Sequence, residues 1–357
     1  MDENTEYTQK SLTAMDVSPH ENRKTVMRAF VVSSYQTALH EADVPEPTVG
    51  HHDVLVQVQA AGLNQLDEKI RLGEFKQILP AQLPLVLGHD VAGTVVRVGG
   101  SVRAFRPGDE VYARPRDHRI GTFAERIAID EADVALKPAS ITMEEAGSLP
   151  LVALTAWQAL VEIGNVQPGQ KVLIHAGAGG VGSVAIQLAK QLGAEVATTA
   201  SAANAGFVRS LGADVVVDYR SEDFAERLSG YDFVLDSLGG ANLEQSLRVL
   251  RPGGTVVGIS GPPTPAFAKA AGLNPVVRLA ITALSAKVRK QAKRLDVQYR
   301  FLWMHASGDQ LREITALVER GVLRPVVGRI FPFDDAVQAL EALASGGIRG
   351  KAVISNP

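Results

Sequence analysis

The run Gly177-Ala178-Gly179-Gly180-Val181-Gly182 constrains this chain more than any other feature. It comes after the apolar stretch Val172-Leu173-Ile174 and opens a predicted helix, Val181–Gln191, which Gly193 stops. Glycines in the pattern G-x-G-x-x-G between a strand and a helix suit a dinucleotide diphosphate. Gly177 permits a tight turn, Gly179 lets the backbone approach the diphosphate, and Gly182 lets helix and strand pack closely. The phosphates then meet amide N–H groups at the positive end of the helix. A merely structural glycine turn would not need a train of strands and helices behind it. Strands are predicted at Val196–Ala200, Val215–Asp218, Phe233–Asp236 and Thr255–Ile259, with helical stretches such as Ala205–Leu211 between them. That alternation predicts a doubly wound parallel sheet.

The end of the second strand selects the nicotinamide cofactor. An NAD site places Asp or Glu about 20 residues after the glycines, to hold the ribose 2′-hydroxyl. Here the chain reads Thr198-Thr199-Ala200-Ser201-Ala202-Ala203-Asn204, without a carboxylate, and Glu195 precedes the strand. NADPH is therefore expected, with Ser201 and Asn204 donating to its 2′-phosphate and Arg209, Tyr219 and Arg220 as further partners. Thr199, Ser237, Leu238, Ile259 and Ser260, at or just beyond strand ends, complete the expected cofactor contacts beside Gly177, Ala178, Gly179, Gly180, Val181 and Gly182.

Between residues 27 and 150 the rhythm differs. Short strands at Met27–Val32, Val54–Ala60, Gly93–Gly99, Glu110–Ala113 and Phe123–Ile129 are broken by Gly and Pro, which predicts a small, mostly β unit of barrel type. Residues 1–26 are polar and aperiodic, and are expected to be a disordered extension without an export signal. The 18 uncharged residues Val172–Ala189 contain four glycines and read as strand, loop and helix, so no membrane span is expected. The net charge is −3, from 36 Lys plus Arg against 39 Asp plus Glu, which offers no global attraction for nucleic acid. The chain has no cysteine. Disulfides, thiolate metal sites and a cysteine nucleophile are excluded, and a cytoplasmic location is expected.

Several further blocks carry a family resemblance. They are Gly62-Leu63-Asn64-Gln65-Leu66-Asp67, Gly88-His89-Asp90-Val91-Ala92-Gly93, Gly108-Asp109-Glu110-Val111, Leu154-Thr155-Ala156-Trp157, Leu250-Arg251-Pro252-Gly253-Gly254, Ile330-Phe331-Pro332-Phe333-Asp334 and Gly350-Lys351-Ala352-Val353. With the glycine loop, they resemble the zinc-independent quinone oxidoreductase and enone (alkenal) reductase branch of the medium-chain dehydrogenase/reductase superfamily. The resemblance implies a GroES-like catalytic domain from 27–150, completed by 301–357, and a Rossmann NADP-binding domain over 151–300. It puts the active site in the cleft between them and implies a 2′-phosphate role for Tyr219. The lysine that often shares that role is replaced here by Asn204. Homodimers are common in the family.

Zinc-dependent relatives hold the metal with two cysteines and a histidine; here only the histidine position survives, as His89. One histidine cannot form a catalytic zinc site, so His89 is read as structural. His118 and His175 are read as loop or core residues, with His175 near the phosphate loop. Without a Lewis acid, hydride addition to a conjugated acceptor is favoured over alcohol oxidation, because the charge spreads into an enolate or quinol anion. The expected activity is NADPH-dependent reduction of the C=C bond of α,β-unsaturated ketones or aldehydes. The alternatives are quinone reduction and, from another class, an NADPH-responsive RNA- or protein-binding module.

Asn64, Lys69 and Thr155 are the candidate catalytic residues. Their plainer roles are a strand-end cap, a surface lysine and a helix hydroxyl. Asp67 either orients Asn64 or pairs with Arg71. The segment 262–300 is a basic helical insert, with a helix predicted over Pro275–Arg294. Residues 261–300 hold eight Lys or Arg and one acid, Asp296. A solvated face is the plain reading; a lid, a subunit contact and an anionic-surface patch are the others.

Overall fold

The computed structural model describes residues 26–356. Eight strands precede the glycine loop's own strand: β1 (Val26–Val32), β2 (His40–Pro45), β3 (Asp53–Gly62), β4 (Leu85–Val86), β5 (Val91–Val98), β6 (Glu110–Ala113), β7 (Arg126–Asp130) and β8 (Val134–Leu136). The next six are β9 (Lys171–Ile174), β10 (Glu195–Ala200), β11 (Val215–Asp218), β12 (Tyr231–Asp236), β13 (Leu250–Gly258) and β14 (Gln298–Phe301). Two more, β15 (Val327–Pro332) and β16 (Lys351–Ser355), end the chain. The fold is α/β, with one wholly parallel sheet and one mostly antiparallel β unit. Val26, the last residue of the extension expected over 1–26, pairs with Pro45. Residues 1–25 lie outside the described residues.

The parallel sheet runs β11-β10-β9-β12-β13-β14. Its central strands are apolar because helices cover both faces. Val172, Leu173 and Ile174 are fully buried in β9, as is Val234 in β12. The helix Gly180–Gln191 buries Val184, Ala185, Ile186, Leu188 and Ala189 against this sheet. Strand order reverses between β9 and β12, and ligands of open parallel sheets bind at the carboxyl ends beside such a switch point.

In the β unit, β3 pairs with both β5 and β7. The chain end returns to it: Val353, Ile354 and Ser355 of β16 pair with Gly62, Ala61 and Ala60 of β3. One buried cluster crosses the junction, joining Ala60, Ala92, Tyr112 and Val353 to Val152, Val172 and Val184. Tyr112 anchors it, donating from its hydroxyl to the Leu311 carbonyl at 2.7 Å. No described helix is long and apolar enough to cross a membrane.

The insert differs from the single helix predicted over Pro275–Arg294. It begins with a helix at Pro265–Ala270, capped by Thr264, whose hydroxyl accepts from the Phe267 amide at 3.3 Å. Two further helices succeed it, Pro275–Leu284 and Ala286–Arg294. They meet at Ser285, a buried serine whose hydroxyl donates to the Ile281 carbonyl at 2.9 Å. The amide ladder runs on through Ser285, so the predicted helix is interrupted at a single residue.

Leu173 sits at the centre of the parallel sheet with no exposure. Leu173→Ala is expected to lower the unfolding free energy by about 2–5 kcal/mol, as measured by urea titration.

Candidate active site and cofactor cleft

The glycine loop leaves β9 through Ala176, which takes the left-handed conformation at φ +52°. The sharp turn is thus made by Ala176, and Gly177 serves another need. A Cβ on Gly177 would lie 2.1 Å from the Thr198 hydroxyl in β10, so glycine is required by a neighbouring strand. A Cβ on Gly182 would lie 2.3 Å from the Ala176 carbonyl, inside the loop itself. Gly179 is different: the nearest atom to its Cβ position is the Ala176 carbonyl at 3.3 Å. The outer side of Gly179 is open to an approaching diphosphate. Gly180, Val181 and Gly182 form the first turn of a 12-residue helix, where amides lack partners within the helix. This cradle fits a dinucleotide.

Thr199 holds the loop from below. Its hydroxyl lies 3.1 Å from the Ala176 amide and 3.1 Å from His175 Nδ1, while its carbonyl accepts from the Gly177 amide at 3.0 Å. The other nitrogen of His175 lies 2.9 Å from the Ser246 hydroxyl. His175 therefore forms the floor of the loop, with both nitrogens engaged inside the protein. Burial lowers its pKa to about 4, so the ring is neutral at pH 7.

The other predicted cofactor residues stand at the carboxyl ends of neighbouring strands. Ser201 comes directly after β10, and Tyr219 directly after β11 with its ring exposed. Ser237 and Leu238 lie just past β12, and Ile259 and Ser260 just past β13. Asp236 organises the turn after β12 by accepting from the Leu238 and Gly239 amides at 3.0 and 2.6 Å, although burial raises its pKa. A short way beyond β10, Asn204 Oδ1 accepts from Arg349 Nε at 3.0 Å. Arg349 also stacks on Phe207. Reading the sequence missed this guanidinium, because it arrives from 145 residues away.

The C-terminal strand reaches the same loop. The Gly350 amide donates to the Ala178 carbonyl at 2.8 Å. A Cβ on Gly180 would collide with the Lys351 side chain, at 2.9 Å from its Cδ. Lys351 Nζ donates to Asn64 Oδ1 at 2.5 Å and to Asp90 Oδ2 at 3.0 Å, all three residues being buried. Asn64 Nδ2 donates to the same Asp90 oxygen at 2.9 Å, and the Leu151 amide donates to Asp90 Oδ1 at 2.6 Å. One buried carboxylate thus gathers β16, the Asn64 turn and the helix Pro150–Trp157.

The three candidate catalytic residues take different places. Asn64 lies in this network with both amide hydrogens engaged, the second on the Gly62 carbonyl at 3.3 Å. Thr155 is buried and its hydroxyl donates to the Leu151 carbonyl at 2.7 Å. Lys69 lies partly exposed on the helix Gln65–Arg71, outside the network. Asp67 accepts from the Asn64 amide at 2.8 Å and meets His89 Nδ1 at 2.6 Å, while Arg71 pairs with Glu68. His118 lies in a loop at φ +66°.

An aromatic ridge borders the junction. Trp303 packs edge-on against Phe75 at 5.3 Å and tilted against Phe267 at 5.8 Å, and its indole donates to Asp117 at 2.7 Å.

Comparison with known proteins agrees with this geometry. Residues 50–139 match the alcohol dehydrogenase GroES-like domain family, and residues 211–354 match the zinc-binding dehydrogenase family. The chain is 34% identical to the mitochondrial NAD(P)H oxidoreductase RTN4IP1 of Danio rerio, over 93% of this chain and 92% of that protein. It is also 34% identical to the chloroplastic NADPH-dependent alkenal/one oxidoreductase of Arabidopsis thaliana, over 97% of this chain and 84% of that one. The quinone oxidoreductase structure from Coxiella burnetii superposes with a TM-score of 0.82 at 32% identity, covering 93% of this chain and all of that one. The chain belongs to the medium-chain dehydrogenase/reductase superfamily, and it is a nicotinamide-dependent oxidoreductase of the quinone and enone reductase branch. The zinc of the second family's name does not fit these residues. The chain has no cysteine, no three His, Asp or Glu side chains converge among the described residues, and His89 is turned onto Asp67.

The neutral, buried His175 gives a pH prediction. Its folded pKa lies below the value of 6.5 for an unfolded histidine, so its contribution is present above pH 6.5 and is lost as pH falls toward 4. Unfolding free energy is expected to drop by about 2 kcal/mol from this group between pH 7 and pH 5. Urea titrations at the two pH values should show a smaller drop in His175→Gln.

Proposed function

We propose that the protein uses NADPH to reduce the C=C bond of α,β-unsaturated ketones and aldehydes. The observation that carries this reading is the site's donor set: a buried lysine and amide at the glycine loop, with no zinc ligand set beside them. When bound, the reduced nicotinamide supplies a hydride. The acceptor must then spread the incoming negative charge by conjugation, because no Lewis acid receives it.

The chain's own residues have separate tasks in this reading. Amides of the Gly180–Gly182 turn hold the diphosphate. Ser201, Asn204, Tyr219 and Arg349 surround the ribose 2′-phosphate, and Arg349 supplies the positive charge that an NAD site would replace with an acid. This basic pocket supports NADPH over NADH. Lys351 has three N–H donors, two of which go to Asn64 and Asp90. Its remaining donor and its charge favour the oxygen on which enolate charge develops. Asn64 and Asp90 position that ammonium, and Thr155 shapes the wall behind it. Water delivers the proton to the α-carbon. Phe75, Phe267 and Trp303 form the apolar side of the substrate cleft. Their flat faces also suit a quinone ring, which makes quinones the second acceptor class.

The test is turnover of a short 2-alkenone with NADPH by metal-free protein, with the product identified by mass and NMR. A saturated ketone is expected; an allylic alcohol, or no product with any enone or enal, contradicts the reading. Arg349→Ala is expected to raise KM for NADPH about 10- to 100-fold and to leave KM for NADH within a factor of about two.

A further inference from the structure

The insert carries a surface that the reductase reading does not use. In the helix Pro275–Leu284, Ile281 faces the protein, while Val276, Leu279 and Leu284 are 77%, 72% and 65% exposed. Val276, Leu279, Ala280 and Ala283 succeed one another at helical spacings, so they share one face. The backbone continues through Ser285 into the helix Ala286–Arg294. The Ser285 amide donates to the Ile281 carbonyl at 3.0 Å, and the Arg289 amide donates to the Ser285 carbonyl at 3.1 Å. The same spacing therefore carries the line onward from Ala283 to Lys287, Lys290 and Arg294. One face is apolar for its first half and cationic for its second.

From Pro262 to Leu295 the chain contains no acidic residue. Lys287 is paired with Glu244, whereas Arg278, Lys290, Lys293 and Arg294 make no ion pair among the described residues. The whole chain has net charge −3, so this concentration of cations is local.

We propose that this face docks the protein on an anionic lipid bilayer. Val276, Leu279 and Leu284 enter the headgroup–acyl boundary, and Lys290, Lys293 and Arg294 meet lipid phosphates. Apolar side chains beside lysines and arginines on one helical surface have the character of an interfacial segment. A second copy of the chain fits less well, because it would bring an identical cationic segment against this one.

The test is flotation of the full chain with unilamellar vesicles at low ionic strength. Co-flotation is expected with vesicles of equal phosphatidylcholine and phosphatidylglycerol, and not with phosphatidylcholine alone. It should weaken steeply with added salt. Val276→Asp with Leu279→Asp, and separately Lys290→Glu with Arg294→Glu, are each expected to lower the partition coefficient about tenfold or more. Melting temperatures should stay unchanged, since all four side chains are exposed. Absence of binding to the anionic vesicles overturns the proposal, as does binding that neither double variant weakens. A dimer in sedimentation velocity that Leu279→Asp converts to monomer would assign the face to a second copy instead. Salt-sensitive RNA binding that survives the aspartate substitutions would assign the cations to nucleic acid. Each outcome is independent of whether enones are turned over.

Discussion

The ion pair between Lys351 and Asp90 joins parts of the chain that share no local pattern. Lys351 lies on the last strand, Asp90 directly precedes β5, and Asn64 bonds to both. The pair is buried, so each charge requires the other: removing one partner of such a pair costs about 3–5 kcal/mol. Because the preceding Gly350 bonds to Ala178, the pair also fixes the end of the β unit to the cofactor loop. The wall of the cleft and the cradle for the diphosphate are therefore built as one piece. In the proposed reaction, this holds the nicotinamide and the acceptor in fixed relation, which lowers the entropic part of the barrier.

The loop shows how closely the sheet governs the cofactor cradle. The left-handed turn falls on Ala176, and Gly177 is glycine because Thr198 of β10 occupies the space of a side chain. Thr199, the next residue, clamps the loop from beneath and orients His175. The mouth of the loop remains open at Gly179. The same strand thus excludes a side chain at Gly177 and holds the backbone of Ala176 and Gly177, so loop and sheet cannot vary independently.

The alternating strands and helices, the parallel sheet and the glycine loop are legible in the sequence because each depends on neighbours within a few positions. The edges of β6 and β11 fall where hydrophobic alternation and turn residues put them. Arg349 and Lys351 carry no such local signal, although Gly350-Lys351 stands out as a family block. Their importance comes from contacts 145, 261 and 287 residues away, which no local pattern encodes. The helix predicted over Pro275–Arg294 is interrupted at one residue only, Ser285, and the amide ladder runs on through it to the Arg289 amide. Resemblance alone points to Asn64 as a cleft residue, and its hydrogen bonds are those of a residue that positions a lysine.

A double-mutant cycle on Lys351→Met and Asp90→Asn, read by urea unfolding, measures how far the two buried charges depend on each other. The two single variants should each lose several kcal/mol, and the double variant should lose at least about 2 kcal/mol less than their sum. Additivity within about 0.5 kcal/mol would mean that the two charges do not depend on each other, and that another contact holds the cleft together.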